Sequence, residues 1–480
     1  MKNLNDSSIW SLNYFSLFLC TVISTVLVMF YLYSISPYIM LPADILMWAE
    51  TNFVGDIIKI RIGAPFYTDP ADSNSGIYTF GAPYVTYAIS WLFGKSTSIP
   101  AWRSIQLLFI SGAAMIGTAC CCMLCKHAFP DYRNPFPKTW LAFIFLALFL
   151  VGTAPRANVY SHCLHAEALA LLISTVSFWA MLRYLKSPSW TRLFFMAALP
   201  SLGFMVKQVL LCWSAVMFIF LLLHDPKSII RLIVFFVSVI VFFAITIGIC
   251  YWIWGSNFFF WTFDIMGGVR KLPSFSTTGF RVSLPRSLDH TIRLWPEIAV
   301  GVLGGYLLCR EKRNIAIMAP VWVAWISLIL IEAYTSGVGW SVLWHFGPGV
   351  FIASILLFSV LPRFWPNPGE NRMSTFSALP RWTNPLLAIT GIMTLFVILH
   401  VVPSADKYEI RYYRRHPSPD VYRYISDIEH EFEGFSPDKV LLDIGNWIYF
   451  AIKHTIRYCF MTYTLLSSYT IGPTGKGHRG

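Results

Sequence analysis

The feature that most constrains this chain is a series of long apolar runs, each with few or no charges. A hydrocarbon core of ~30 Å takes about 20 helical residues to cross at 1.5 Å rise per residue. Inside it, a helix satisfies its own backbone hydrogen bonds. Runs of this kind lie at roughly 12–34, 103–125, 138–155, 162–184, 190–207, 209–224, 228–253, 293–309, 314–335, 342–362 and 384–403. The expectation is an all-α polytopic membrane protein with about eleven transmembrane helices. The pair around Lys207 reads either as one bent helix or as two short ones. The first run reads as a retained span, because Pro42 and acidic residues follow it rather than a small-residue cleavage site. Composition agrees: 56% of the residues are hydrophobic and 12% charged, with a mean hydropathy of +0.58, whereas a soluble domain carries about 25% charge.

The net charge of +12, from 36 basic and 24 acidic residues, would suit a nucleic-acid binder if it formed a stripe on a soluble face. It does not. With the N-terminus inside, each short cytoplasmic connection is basic, as with Lys126, Arg133 and Lys138, or Arg310, Lys312 and Arg313. The alternate connections are nearly uncharged or are long and rich in Asp, Gly and Pro. The bias of Lys and Arg toward cytoplasmic loops therefore predicts a cytoplasmic N-terminus and an external segment from about 405, in a bacterial-type inner or plasma membrane. No nucleic-acid partner is implied. The expected organisation is a transmembrane domain over 1–404 and a short extracytoplasmic segment over 405–480.

Two external loops interrupt the membrane domain, at 38–101 and 254–291. The first holds amphipathic stretches around 43–54 and 83–93, which are expected to lie in the interface. In the terminal segment, Asp420–Glu433 reads as an amphipathic helix and Lys439–Asp443 as a short strand-like run. The sequence shows no internal repeat and no pair of broken helices in matching halves. Cys120, Cys121, Cys122 and Cys125 sit near the cytoplasmic end of the second span. Adjacent helical cysteines point apart and cannot all reach one zinc ion, so core packing is the plainer reading, with acylation as an alternative. No His spacing suits a metal.

Charge near a bilayer edge is costly, which makes acids there functional candidates. The first external loop concentrates them in Asp44, Glu50, Asp56, Asp69 and Asp72. Asp44 and Glu50 fall within two turns of one amphipathic helix. The string continues with Gly63-Ala64-Pro65-Phe66-Tyr67-Thr68-Asp69-Pro70, Tyr78 and Ala82-Pro83-Tyr84. This order resembles the GT-C glycosyltransferases, and more narrowly the polyprenyl-phosphate-sugar-dependent branch that includes protein O-mannosyltransferases and the lipid A aminoarabinose transferase. Three further landmarks are similar: His165-Ala166-Glu167 opening the fourth span, Gly203 to Lys207-Gln208, and Gly337-Val338-Gly339 with His345, Gly347 and Pro348. The resemblance covers roughly 10–360. The chain departs from the pattern in two ways. Asp44 and Glu50 are six residues apart where relatives often have an adjacent acidic pair, and Glu167 with His165 stands where relatives often have Arg-x-Asp.

The resemblance implies a membrane glycosyltransferase with an extracytoplasmic active site. It would transfer a monosaccharide from a polyprenyl-phosphate donor to a lipid, glycan or protein hydroxyl, inverting the anomeric centre. A base must take the acceptor's proton, and cations must hold the departing phosphate. Glu50 is the first choice of base, with Asp44 and Glu167 as partner or replacement. Lys207, Gln208, Arg270 and Lys271 are candidates for the phosphate side, and His165, Tyr67, Asp69 and His345 for binding substrate. No cofactor is required, and a divalent metal is compatible with the scheme. Trp261, Trp340 and Trp344, at external span ends, read either as sugar-stacking rings or as an interfacial belt. The rival readings are a transporter or lipid flippase and a glycan ligase or polymerase of related architecture.

Overall fold

A computed structural model describes residues 4–41, 48–70, 75–76, 78–129, 138–158, 160–161, 163–264, 284–310, 312–336 and 346–361. All regular structure among them is helical. The predicted span at 384–403, the helix at Asp420–Glu433 and the strand-like run at Lys439–Asp443 lie outside the described residues, as does the rest of the terminal segment.

The other ten apolar runs each coincide with helical structure. α1 is Leu4–Met40, followed by α2 (Trp48–Ile62), α3 (Gly81–Leu92), α4 (Ile99–Ala128), α5 (Lys138–Thr153), α6 (Pro155–Asn158) and α7 (Glu167–Lys186). Next come α8 (Trp190–Val206), α9 (Trp213–His224), α10 (Ile229–Trp254) and α11 (Ser256–Phe259). The last described are α12 (Leu284–Arg293), α13 (Trp295–Cys309), α14 (Lys312–Ser336) and α15 (Gly347–Phe358).

Five of the described helices are long and apolar enough to cross a membrane, or six if α12 and α13, bent by 69°, count as one span. Several of the expected crossings are thus shorter apolar helices: α5, α8, the segment 208–224 and α15. Hydropathy reads burial in protein and burial in lipid alike, and a run of 10–14 residues suits a helix enclosed by its neighbours. α15 is such a helix, with ten of its twelve residues buried. α10 is the opposite case: its buried residues are Leu232, Phe235, Ser238 and Cys250, and the remaining apolar surface faces outward. This is a multi-pass integral membrane protein.

α4 runs along α7 and α5, and α15 packs against α4, α5, α7 and α13. Close approach of α13 depends on three small residues, since Cβ atoms at Gly301 and Gly305 would strike Trp325 and Trp322. At Gly304 a Cβ would lie 2.6 Å from the backbone nitrogen of Leu357. Membrane helices gain contact area in this way, because lipid leaves little hydrophobic drive for helix association. Cys120, Cys121 and Cys125 are buried in the same packing, and Cys121 Sγ lies 3.5 Å from the Ile355 carbonyl.

The ambiguity around Lys207 resolves into two short helices. Lys207 is extended (φ −157°, ψ 126°), ends α8 and precedes a 3-10 turn, Gln208–Cys212, that leads into α9. Gly203 makes the turn compact, because a Cβ there would sit 2.8 Å from that of Leu210. The amphipathic stretches expected around 43–54 and 83–93 appear as α2 and α3. α3 abuts the same break, with a Cβ at Gly81 lying 2.5 Å from the Met205 carbonyl oxygen.

Candidate active site

Glu50 lies in the first turn of α2 and is completely enclosed. Arg103, in the first turns of α4, donates Nε–H to Glu50 Oε1 at 2.8 Å and a terminal N–H to Oε2 at 2.6 Å. Its other terminal nitrogen donates to the carbonyls of Tyr38 (2.9 Å) and Leu41 (2.6 Å) at the end of α1. The Leu164 N–H also donates to Glu50 Oε1, at 2.8 Å. Both side chains of the pair are 0% exposed. A buried ion costs several kcal/mol unless it is paired and its remaining hydrogen-bonding positions are filled, and here they are. A base must reach the acceptor's proton, whereas Glu50 is committed on both oxygens to protein donors. To act as the base, Glu50 would first have to leave Arg103. Glu50 ties α2, the end of α1, the start of α4 and the loop before α7 together.

That loop carries the second carboxylate. Glu167 opens α7, where a negative charge is favoured by the helix dipole. Its Oε1 accepts from Lys207 Nζ at 2.7 Å and its Oε2 from His165 Nδ1. The imidazole stacks on Tyr160 at 4.0 Å and 19°, and lies 4.6 Å from the ring of Phe53. Burial, and secondarily the charge of Lys207, hold His165 well below its ordinary value. Its Nδ1 is bonded to Glu167, while its buried Nε2 has no partner. Lys207 is brought here by the break that ends α8, and it also feels the charge of Glu332 on α14. Glu332 Oε1 accepts from the Gly349 N–H at 3.1 Å.

A third acid, Asp56, faces inward from α2 beneath the loop 66–80. Burial pushes its carboxyl up to about 6, against the opposing pull of Lys59 at 3.6 Å. The loop above it is knitted together: the Tyr67 hydroxyl donates to the Tyr78 carbonyl (3.1 Å), and the Thr68 N–H donates to Ser75 Oγ (2.7 Å). Tyr67 is buried against Trp254 and Phe258, and burial raises its phenol. Asp69 stands exposed on the rim. Trp261 fits neither expectation for it. It is fully buried and donates from Nε1 to the Thr68 carbonyl at 2.7 Å, anchoring the π-helical turn Phe260–Asp264 to the first external loop.

Of the predicted residues, the structure brings His165, Glu167 and Lys207 into direct contact, with Gln208 starting the turn beside them. Tyr67 is a packing residue of the neighbouring loop, while Glu50 is sealed in its ion pair with Arg103. Asp44, Arg270, Lys271 and His345 lie outside the described residues, together with Trp340 and Trp344. Sequence reasoning named Asp56 only as one of the acids of the first loop, and passed over Arg103 and Glu332. Glu332 carried the plainest signal, as an acid inside an apolar run.

No protein-family model matches the sequence, and neither does any curated protein. Among solved structures, ArnT from Cupriavidus metallidurans, crystallised with undecaprenyl phosphate, superposes with a TM-score of 0.57 and 14% identity. The match covers 94% of this chain and 88% of that one. The apo oligosaccharyltransferase from Archaeoglobus fulgidus matches 86% of this chain and 59% of its own, with a TM-score of 0.49 and 12% identity. At these identities the likeness is one of fold: the chain shares the fold of ArnT.

Proposed function

We propose that this chain is a membrane glycosyltransferase that moves a monosaccharide from a polyprenyl-phosphate donor to an extracytoplasmic hydroxyl, inverting the anomeric centre in a single displacement. The observation that carries this reading is the ion pair between Glu167 and Lys207 at the α8 break, braced by His165, within the fold shared with ArnT. It joins a carboxylate to a cation, and the charge bias of the loops supports putting that bundle end outside.

In this reading the donor phosphate displaces Glu167 from Lys207. The freed carboxylate takes the acceptor's proton, and Asp44, singled out by the sequence, is the candidate for its partner. The acceptor oxygen bonds to the anomeric carbon as the carbon–oxygen bond to phosphate breaks. Polyprenyl phosphate departs with the bonding electrons, its charge held by Lys207. Preorganised cations are effective here because they act where charge grows. The phosphate is a good leaving group without protonation, its second pKa being about 6. No resident metal is required. ArnT's undecaprenyl phosphate is the basis for choosing this class of donor.

The test is donor turnover by the full-length protein in proteoliposomes, using radiolabelled undecaprenyl-phosphate monosaccharides and a membrane lipid or glycan extract as acceptor. Wild type should release undecaprenyl phosphate and label the extract, and Glu167→Gln and Asp44→Asn should each lose at least ~100-fold, as befits general-base removal. Unimpaired transfer by both variants would sink the assignment of roles. Solute accumulation in sealed vesicles without any sugar transfer would replace the reading with a transporter.

A further inference from the structure

α12 presents three different faces along its ten residues. At about 100° per residue, Leu284, Leu288 and Ile292 line one face, and Trp295 follows them at the start of α13. These four side chains are between 53% and 68% exposed. A second face is turned to the protein. Ser287 and Leu294 are buried there, and His290 donates from Nδ1 to the Ser336 carbonyl, at the end of α14, at 3.1 Å. The third face is charged. Arg293 pairs with Asp289 at 2.9 Å, the two side chains being 40% and 50% exposed, and Arg286 lies on the same side of the helix.

Each face narrows where this helix can lie. A contiguous exposed row of Leu, Leu, Ile and Trp is unfavourable in water and marks a surface with a partner. Charged groups are costly in hydrocarbon, so the Arg293–Asp289 face rules out immersion of α12 in lipid as the outer half of a broken span. α12 also meets α13 at 69°, and a helix at that angle to a membrane span runs near the bilayer plane. The apolar row does not stop at the bend. Past Trp295 it continues along one face of α13 as Val302, Leu303 and Tyr306, all exposed. That is the side a membrane helix turns to lipid, so the surface covering α13 is continuous with the one covering α12. Trp295 stands at the junction, and membrane–water boundaries are enriched in Trp.

We propose that α12 is an interfacial helix whose Leu284, Leu288, Ile292 and Trp295 row binds the phospholipid leaflet at the Ser336 end of α14. Its apolar side dips into the boundary between headgroups and acyl chains, to a depth of ~5–10 Å for helices of this kind. Arg286, Asp289 and Arg293 remain in the headgroup and water layer. The loop charge bias makes this leaflet the outer one. On this placement α13 enters the hydrocarbon without α12, and the bend between them marks the membrane boundary for this part of the bundle. The inference goes beyond the sugar-transfer reading and does not rest on it, since it requires only that α13 and α14 lie in a membrane.

The test uses the full chain in liposomes of phosphatidylethanolamine and phosphatidylglycerol. The photoreactive residue p-benzoylphenylalanine replaces Leu284, Leu288, Ile292 or Asp289, one at a time. After irradiation the protein is digested, and mass spectrometry locates each adduct and distinguishes attachment to an acyl chain from attachment to a headgroup. The three positions on the row are exposed and tolerate a large apolar side chain; they are read separately, so loss of one variant leaves the others to decide. Acyl-chain adducts are expected at 284, 288 and 292, and none at 289. Acyl-chain adducts at 289 as abundant as those on the row would overturn the proposal by placing the whole helix within lipid. Absence of lipid adducts from the row would overturn it by placing that face in water or against protein. Covalently linked pairs of chains from the row, in place of lipid adducts, would overturn it by assigning the face to a second copy.

Discussion

Replacing Glu50 separates two accounts of the first external loop. As a catalytic base, Glu50→Gln abolishes transfer and leaves the fold untouched. As the partner of Arg103, it destabilises the protein, because a guanidinium is then buried beside a neutral amide. Breaking a buried ion pair by removing one member costs about 3–5 kcal/mol, and both side chains here are fully enclosed. Arg103→Met costs a similar amount: it strands the carboxylate with a single donor, the Leu164 N–H, and takes donors from the Tyr38 and Leu41 carbonyls. The double variant removes both charges together. What remains is mainly the cost of those two carbonyls, at about 1–3 kcal/mol each. The sum of the single losses should therefore exceed the double loss by at least ~2 kcal/mol, a coupling typical of groups in direct contact. Unfolding free energies in mixed micelles, measured for all four proteins, give the cycle, and donor turnover is measured alongside. Additive losses, or a Glu50→Gln protein that is dead but within ~1 kcal/mol of wild-type stability, would refute the structural account and restore Glu50 as the base.

Three further outcomes are expected. Asp56, ordinarily near 3.8 and raised to about 6 by burial, holds more protons folded than unfolded between those values. Its contribution to stability therefore falls as pH rises from about 4 to 6, by about 3 kcal/mol for a shift of about two units, and Asp56→Asn should flatten that part of the pH–stability curve. Gly304→Ala should cost about 1–3 kcal/mol through overpacking, since the new Cβ meets Leu356–Leu357 backbone rather than a movable side-chain tip; a neutral effect on unfolding would show that α13 can shift. Trp261→Phe should lose about 1 kcal/mol with the Thr68 hydrogen bond and expose the 66–80 loop to limited proteolysis. An unchanged cleavage pattern would count against the anchor.

How much of the site was legible depended on what each residue's neighbours along the chain reveal. His165 and Glu167 lie two residues apart at a helix start, and Lys207 ends an apolar run beside Gln208, so each is conspicuous locally. The pairing of Glu50 with Arg103 spans 53 positions, and nothing local distinguishes a carboxylate with such a partner from one that awaits substrate. Glu332 had a local signal, an acid inside an apolar run, but the Gly349 N–H that it accepts comes from another element. Trp261 looked interfacial because its span end is interfacial; the loop that covers it comes from almost two hundred residues upstream.

The sequence by itself determined that this chain is helical and belongs in a membrane, because a long uncharged run can satisfy its backbone in lipid only as a helix. It also singled out the acids of residues 38–101 and Lys207 at the end of an apolar run. Tertiary structure decided which apolar runs are long spans and which are short helices enclosed by protein, since both environments select the same side chains. It decided, too, which cations meet which carboxylates. That follows from burial and distance between elements remote in the chain, as where the Arg103 guanidinium holds both oxygens of Glu50.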